Sequence, residues 1–315
     1  MTYTIWGAGL AGLLAGGMLR DECSEIVEAQ GELPNNHNAL LRFRSSIVGD
    51  TLNIPFKPVE VLKAIHSPTN PVRDAIMYSI KTTGSARLRS ILSASPQTET
   101  RYIAPPDLVK RMAEKVTAEF RFGQQATLIG DKHKGPIIST LPMKTLMGIL
   151  GYDEAHRGVK RIEPIDFKYI RGEVVTATIP GADIYATLYF PDGMHQFYRA
   201  SITGDQLIVE YAWLNDMILL GSPEGNASVA ASLFGFNMEV TSLENVKHKH
   251  QTYAKILPID DDVRKRFIQW ATDKFGIYSL GRFATWRPGL LLDDLVNDVR
   301  VIQKIVTRGS YDHRK

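Results

Sequence analysis

The sequence predicts an α/β protein in which a domain with a parallel sheet is interrupted by an inserted antiparallel sheet. Three observations predict this fold. A strand, a glycine-rich turn, a helix and a second strand follow one another near the start of the chain. Short alternating strands joined by turns occupy residues from about 160 to 257. A glycine-arginine segment and a helical pattern then follow close to the end.

Composition sets the broad class of the protein. The chain has 315 residues, of which 44% are hydrophobic and 23% charged, as in ordinary globular proteins. No apolar run is long enough to span a membrane, and we expect a cytoplasmic protein. Cys23 is the single cysteine, which excludes an internal disulfide and a cysteine-based metal site. A net charge of +3 does not by itself indicate nucleic-acid binding.

The glycine-rich turn follows a predicted strand over residues 2–6 and opens a predicted helix that runs to Leu19. Its first glycine permits a tight turn, its second lets the backbone approach a pyrophosphate, and its third lets the helix pack on the sheet. The helix N-terminus offers free N–H groups and a positive dipole end to phosphates. The expected dinucleotide contacts are Gly7, Gly9, Leu10, Ala11 and Gly12.

An acidic residue ends the second predicted strand, residues 25–28. The carboxylate of Glu28 can accept hydrogen bonds from both ribose hydroxyls of an adenosine, with Ala29 beside it. A 2′-phosphate would be repelled there, which disfavours NADP. The first 30 residues therefore predict a Rossmann-like domain that binds a dinucleotide.

Two distant segments refine this prediction. Residues 277–288 contain Gly281, Arg282 and Trp286, and lead into a predicted helix that starts near Leu291 and Leu292 and continues to about Val306. The other segment, residues 136–142, is predicted to be a strand that ends in a turn at Thr140. In this order the three motifs resemble those of the flavoprotein group that comprises amine oxidases, protoporphyrinogen oxidase and UDP-galactopyranose mutase.

The resemblance implies a Rossmann-like FAD-binding domain of the GR2 type with an inserted antiparallel-sheet substrate domain. It also implies that Arg282 contacts the pyrophosphate of non-covalently bound FAD and that the helix after it faces the flavin pyrimidine edge. The chain departs from the group after Glu28, where residues 30–44 replace the usual arginine segment. Either Arg42 or Arg44 takes over that phosphate contact, or both belong to a solvated basic strand.

The expected FAD-binding domain comprises residues 1–50, 101–150 and 275–315, and the expected substrate domain comprises residues 51–100 and 151–274. Helices are predicted over residues 59–66, 72–81 and 263–272, and another begins at Asp107. Strands are predicted over residues 185–190, 195–202 and 206–211.

Candidate catalytic residues lie in the predicted substrate domain. The resemblance suggests Lys255 as the lysine that holds a water near flavin N5, with an ordinary surface lysine as the alternative. Tyr198 and Arg199 are adjacent on a predicted strand, so we expect them to face opposite sides of the sheet. An arginine there suits a substrate carboxylate, with a solvated strand face as the alternative. His37, His195, His248 and His250 lack zinc-ligand spacing, and no metal is assigned.

The sequence is also similar to compact FAD-dependent oxidoreductases of bacteriophages that act in thymidine hypermodification. This implies oxidation of a C–N bond in an amine or amino-acid adduct, such as glycine-modified thymidine in phage DNA. Backbone phosphates would then meet basic residues: Arg87, Arg89, Lys247 and Lys249. A mutase of the UDP-galactopyranose type and a non-catalytic flavoprotein are the alternatives. The substrate, the electron acceptor and the oligomeric state stay open.

Overall fold

The computed structural model describes residues 2–33, 42–87, 95–127, 135–152, 165–214 and 219–312, without the side chains of 309–312. His37, Arg89 and most of the segment after Glu28 lie outside the described residues. The chain divides into two compact units. Unit 1 comprises residues 1–57, 102–167 and 258–315, and unit 2 comprises residues 58–101 and 168–257.

Helices are found in both units. In the described residues they are α1 (Leu10–Leu19), α2 (Ile47–Leu52), α3 (Pro71–Thr83), α4 (Leu108–Ala113), α5 (Met143–Ile149), α6 (Pro223–Leu233), α7 (Asp261–Phe275) and α8 (Leu292–Asp312), with a 3-10 turn at Arg20–Glu22. None of these helices is both long and apolar enough to cross a lipid bilayer.

The described strands are β1 (Tyr3–Trp6), β2 (Cys23–Val27), β3 (Arg42–Phe43), β4 (Lys57–Ile65), β5 (Gln97–Ile103), β6 (Glu119–Arg121), β7 (Ile137–Ser139), β8 (Tyr169–Thr178), β9 (Ile184–Tyr189), β10 (Phe197–Gly204), β11 (Gln206–Trp213), β12 (Glu244–Ile256) and β13 (Ile277–Ser279).

Unit 1 contains a parallel sheet of strand order β13-β7-β1-β2-β6. Ile5, Ile26 and Ile138 in its central strands are fully buried, as expected for a parallel sheet covered by helices. Helix α1 is apolar nearly all round, so it lies inside the unit, where it packs against α4 and α8. Strand β3 pairs with Tyr102–Ile103 at the end of β5.

Unit 2 contains a second sheet, with strand order β12-β8-β11-β10-β9-β4-β5. Strands β8 to β12 pair antiparallel, whereas β4 runs parallel to β9. Its core includes fully buried Val175, Ile202 and Val209, and α6 covers it with small residues such as Ala227 and Ala230. The predicted fold class, a Rossmann-like α/β domain with an antiparallel-sheet insertion, is confirmed.

One predicted helix is wrong. Residues 59–66 form most of strand β4, in which Val59 and Val61 are buried and Glu60 and Leu62 are exposed. This alternation has the period of a strand, and β-branched residues favour it. The predicted helix over residues 72–81 is confirmed as α3, whose Asn70 side chain accepts hydrogen bonds from the N–H groups of Val72 and Arg73.

Candidate functional site

The glycine-rich turn lies at the carboxyl end of β1, in the middle of the parallel sheet. Gly7 has φ +97° and its N–H donates to the Val27 carbonyl at 2.8 Å. A Cβ on Gly12 would lie 1.9 Å from the Gly7 carbonyl oxygen, so only glycine permits this approach of α1 to the turn. Ligands of open α/β sheets bind at this edge of the sheet.

Helix α1 begins at Leu10 with Gly9 as its N-cap, and no side chain caps it. Its first turn also contains no acidic residue. The positive end of the helix dipole is therefore not neutralised by the helix's own side chains. A Cβ on Gly9 would have no described atom within 4 Å. The geometry fits a phosphate group that approaches the backbone at Gly9, Leu10 and Ala11.

Glu28 reaches back from the end of β2 to the glycine turn. Its Oε2 accepts a hydrogen bond from the Ala8 N–H at 2.7 Å, and its Oε1 accepts one from the Gln30 N–H at 3.0 Å. Ala29 between them is exposed. The structure thus brings the acidic residue and the turn together, as a nucleoside site requires.

Thr140 joins β7 to the same turn. Its N–H and its hydroxyl both donate to the Trp6 carbonyl, at 2.8 and 2.9 Å. A Cβ added to Gly7 would lie 2.4 Å from Thr140 Oγ1, which is too close for any residue other than glycine. The hydroxyl therefore fixes the end of β7 against the turn.

The distant glycine-arginine segment lies against the start of α1. A Cβ on Gly281 would be 3.3 Å from the Cβ of Ala11, so the two segments are in direct contact. Leu280 donates its N–H to the Ser139 carbonyl, which holds the segment at the end of β7. The two motifs that the sequence separates by most of the chain therefore meet at one edge of the parallel sheet.

Arg282 is half-buried beside this contact. Its Nε donates to the Leu290 carbonyl at 2.9 Å, and it forms no ion pair within the described part of the chain. Burial lowers the pKa of its guanidinium below the ordinary value. A partly desolvated cation without a carboxylate partner is costly, so an anionic ligand here would be stabilising.

The remaining predicted cofactor contacts take several positions in unit 1. Leu291 donates its N–H to Asp294, and Leu292 begins α8 and packs on the core that contains α1. Trp286 is 2% exposed, and its ring packs edge-on against that of Phe167, with 4.7 Å between the ring centres. The N–H of exposed Arg44 donates to Asp293 at 2.9 Å, while half-buried Arg42 belongs to β3. Their roles toward a cofactor stay predictions.

Sequence reasoning missed two hydroxyl groups at the same sheet edge. Ser139 and Ser279 are partners in the β7–β13 register, and the Oγ of each is buried without a hydrogen-bond partner among the described residues. A buried hydroxyl normally has a partner. No sequence pattern distinguishes these serines from ordinary strand residues, because their isolation depends on the pairing of distant strands.

In unit 2 the structure brings the three predicted catalytic residues together. Lys255 Nζ lies 3.9 Å from the centre of the Tyr198 ring, and the Tyr198 hydroxyl donates to Glu210 at 3.1 Å. The Arg199 guanidinium donates to both oxygens of the same carboxylate, with Nη2 at 2.7 Å. The ring of Tyr78 lies edge-on to that of Tyr198, 6.0 Å between centres. We name these five residues the Glu210 cluster.

The expectation that Tyr198 and Arg199 face opposite sides of the sheet is wrong. The β10–β11 register shifts between Phe197 and Arg199, so Tyr198 occupies a bulge and both side chains reach Glu210. A bulge inserts one extra residue and breaks the strand's two-residue period. Glu210 itself was missed, since its role depends on the cross-strand partner Arg199.

The electrostatics of the Glu210 cluster follow from burial and the shared carboxylate. Burial would raise the pKa of Glu210, but the Arg199 guanidinium, the Tyr198 hydroxyl and Lys255 hold it below its ordinary value. Burial and then the Glu210 charge raise the pKa of the Tyr198 phenol. The phenol therefore stays protonated and donates, and the carboxylate stays charged and accepts.

Histidines also come together with carboxylates that are distant in sequence in unit 2. His66, Asp192 and His195 form one group whose ligand-type atoms lie within 4.8 Å of one another, and Glu173, His248 and His250 form another. Sequence spacing gave no sign of either group. The three segments of the first group are joined by pairing between β4, β9 and β10.

The fold and the turn at the end of β1 define the class of protein: a Rossmann-type α/β fold with an inserted antiparallel sheet. No protein-family model and no curated protein matches the sequence. Solved structures do match. Reduced UDP-galactopyranose mutase aligns with a TM-score of 0.67 and 15% identity, covering 97% of this chain and 94% of the other.

Two further structures have the same architecture. Glycine oxidase from Bacillus cereus aligns with a TM-score of 0.51 and 13% identity over 79% of this chain and 82% of the other. A geranylgeranyl bacteriochlorophyll reductase-like protein from Thermoplasma acidophilum aligns with a TM-score of 0.58 and 11% identity over 98% and 79%. At these identities the likeness establishes the fold.

Proposed function

We propose that this chain is an FAD-dependent oxidoreductase that binds FAD non-covalently in unit 1. The observation that carries the proposal is the contact between Gly281 and Ala11. It brings half-buried Arg282, which has no ion-pair partner among the described residues, to the start of α1. Helix N-terminus and guanidinium supply the two positive groups that a pyrophosphate needs. Glu28 beside the turn suits the ribose hydroxyls of the adenosine.

The fold likeness supports a flavin over a nicotinamide cofactor. Names of the matched structures include an oxidase, a reductase-like protein and a mutase studied in a reduced state. In this proposal the remaining contacts come from Thr140, Trp286, Arg42 or Arg44, and from the backbone at Leu291 and Leu292. The proposed substrate domain comprises residues 51–100 and 151–274, which include nearly all of unit 2.

The proposed reaction is oxidation of a C–N bond in an amine or an amino-acid adduct. Bound FAD would accept the two electrons, and water would hydrolyse the resulting imine of the substrate. The likeness to a glycine oxidase supports this class of substrate. Glycine-modified thymidine in phage DNA is the particular substrate that the sequence resemblance suggests, in the cytoplasm of the infected cell.

The Glu210 cluster supplies the proposed catalytic side chains. Arg199 is held by Glu210, so its part is to position the carboxylate and, through it, the Tyr198 hydroxyl. The ammonium of Lys255 lies over the face of the Tyr198 ring, where a cation–π interaction orients it. We propose that Lys255 orients the water for the reaction and that Tyr198 borders the substrate.

Anaerobic titration of the purified yellow protein tests the reaction. Candidate reductants are glycine and other amino acids, simple amines, NADH and NADPH, and DNA containing glycine-modified thymine. We expect the flavin absorbance to be bleached by an amine or amino-acid substrate, more slowly in Lys255→Met than in the control Lys110→Met, which changes an exposed lysine of α4. Bleaching by NADPH alone would identify a reductase and refute the oxidase.

A mutase of the UDP-galactopyranose type is the second candidate. The fold likeness to reduced UDP-galactopyranose mutase, with a TM-score of 0.67, is the observation that supports it. Such an enzyme would turn over a sugar nucleotide only after dithionite reduction of the flavin, with no net oxidation. Sugar-nucleotide turnover by the reduced protein, together with no bleaching by amines, would select the mutase.

A further inference from the structure

A second group of side chains in unit 2, which shares no residue with the Glu210 cluster, consists of potential metal ligands. It consists of His66, at the end of β4, and Asp192 and His195, in the loop between β9 and β10. One ligand-type atom from each residue lies within 4.8 Å of the other two. Two atoms bound to the same metal at about 2.1 Å are at most about 4.2 Å apart, so a small side-chain adjustment would let all three bind one ion.

Two of these ligand-type groups have unsatisfied buried atoms. His66 Nδ1 and Asp192 Oδ2 are buried and have no hydrogen-bond partner among the described residues. Leaving a buried acceptor or donor unsatisfied costs about 1–3 kcal/mol, more for a charged group. The coincidence of two such atoms in one group indicates that a partner of a different kind satisfies them.

The loop around Asp192 holds its carboxylate in a fixed orientation. Asp192 Oδ1 accepts hydrogen bonds from the Met194 N–H at 2.8 Å and from the His195 N–H at 3.2 Å, and His195 Nδ1 lies 3.1 Å from it. This leaves Oδ2 as the available oxygen. Since Nδ1 is the His195 ring nitrogen beside this carboxylate, the neutral ring with its proton on Nε2 can bind the same ion through Nδ1.

Lys81 fixes the rest of the loop. Its ammonium donates three hydrogen bonds, to the carbonyls of Phe190 at 3.0 Å, Asp192 at 2.8 Å and His195 at 2.7 Å. An ammonium has three donors, so all are directed at the backbone. The His66 N–H donates to the Tyr189 carbonyl at 2.9 Å, which holds His66 beside the same loop. The arrangement is therefore rigid before any ligand binds.

We propose that His66, Asp192 and His195 form a binding site for one first-row divalent transition-metal ion. Two imidazoles and one carboxylate are the ligand types that Zn²⁺ and Fe²⁺ take in proteins, and three protein ligands leave a position for water or another ligand. The site stands apart from the flavin proposal, since none of its residues is assigned to the cofactor or to the Glu210 cluster.

Zn²⁺ binding to the chelator-treated, flavin-loaded protein tests the site. Titration calorimetry and metal analysis after dialysis would be carried out on wild type, His66→Ala, His195→Ala and Asp192→Asn. We expect one tightly bound ion per chain in the wild type and an affinity at least about tenfold lower in each variant. Asp192→Asn keeps the size of the side chain, and circular dichroism checks the folding of all variants.

His250→Ala is the matched control, because it disrupts the second histidine group, in which His250 is exposed and paired with Glu173. The proposed site predicts that this variant keeps the tight Zn²⁺ ion. Loss of that ion in His250→Ala with retention in His66→Ala would refute the proposal, as would a wild type that binds no Zn²⁺. Flavin absorbance is recorded in parallel, so failure of the flavin proposal is seen separately.

Discussion

At the scale of single residues, the FAD site proposed for unit 1 depends on one guanidinium. Arg282 is half-buried, its pKa is lowered by burial, and its hydrogen bond is to the neutral Leu290 carbonyl. By contrast, Arg199 in unit 2 is also partly buried but shares a carboxylate with Tyr198. Arg199 therefore has its counter-charge inside the protein, whereas the proposed counter-charge of Arg282 is the cofactor pyrophosphate.

We predict that Arg282→Ala weakens FAD binding. A charge-assisted hydrogen bond contributes roughly 1.5–3 kcal/mol, which corresponds to a rise in Kd of about 10- to 150-fold. Flavin fluorescence during reconstitution of the apoprotein measures this. Arg300→Ala, which removes an exposed arginine of α8, is the control and should bind FAD like the wild type. An unchanged Kd in Arg282→Ala would contradict the phosphate contact.

A second residue-scale prediction concerns acid stability. The pKa of Glu210 is lower in the folded protein than its ordinary value of 4.5, chiefly through Arg199 once the opposing effect of burial is overcome. Its contribution to stability is therefore complete above the unfolded-state pKa and is lost as the pH falls through the folded-state pKa. Glu210→Gln should destabilise the protein by about 3 kcal/mol at pH 7 and by much less in acid.

Urea unfolding at pH 7 and at pH 3 would measure this difference. The control is Glu60→Gln, whose carboxylate is exposed on β4 and accepts a hydrogen bond from Thr100. It should change the free energy of unfolding little at either pH. A Glu210→Gln effect of equal size at both pH values would show that the charge of the carboxylate is not what stabilises the cluster.

At the scale of elements, two glycines near the start of α1 allow the effect of a substitution on helix packing to be measured separately from its effect on ligand binding. A Cβ added to Gly12 would lie 1.9 Å from the Gly7 carbonyl oxygen, whereas a Cβ added to Gly9 would have no described atom within 4 Å. Gly12→Ala must displace α1 from β1 and should destabilise the apoprotein by about 1–3 kcal/mol or more. Gly9 has φ −68° and ψ 179°, which alanine adopts without strain.

Gly9→Ala should therefore leave the thermal stability of the apoprotein close to that of the wild type while weakening FAD binding severalfold. Differential scanning calorimetry of the apoproteins and flavin titration measure the two effects independently. If Gly9→Ala binds FAD as the wild type does, the cofactor phosphates do not approach the turn at that residue.

Elements also differ in how well sequence patterns predict them. The glycine turn, α1, α3 and α8 were predicted because their signals are local: cap residues, glycine spacing and helical periodicity. Strand β4 was mistaken for a helix because a short apolar run is compatible with both periods. Its extended form depends on β9, which pairs with it over residues 62–65 and lies more than 100 residues later in the chain.

At the scale of the whole molecule, FAD should bind the folded state and not the unfolded chain, since its proposed site joins residues from both ends of the sequence. Ligand at 100 times its Kd adds about 2.7 kcal/mol to the free energy of unfolding. Thermal unfolding with increasing FAD should show a rising Tm in the wild type and a smaller rise in Arg282→Ala. A Tm independent of FAD would contradict a site formed by folding.

The sequence by itself determined the strand–helix–strand unit that opens the parallel sheet, the glycine turn, Glu28 as its acidic neighbour and the Gly281–Arg282 segment, because each is encoded by residues close together in the chain. Only the tertiary structure decided that Gly281 lies on Ala11, that a bulge turns Tyr198 and Arg199 toward Glu210, and that His66 joins Asp192 and His195. These arrangements depend on the register between distant strands, and a register has no signature in either strand alone.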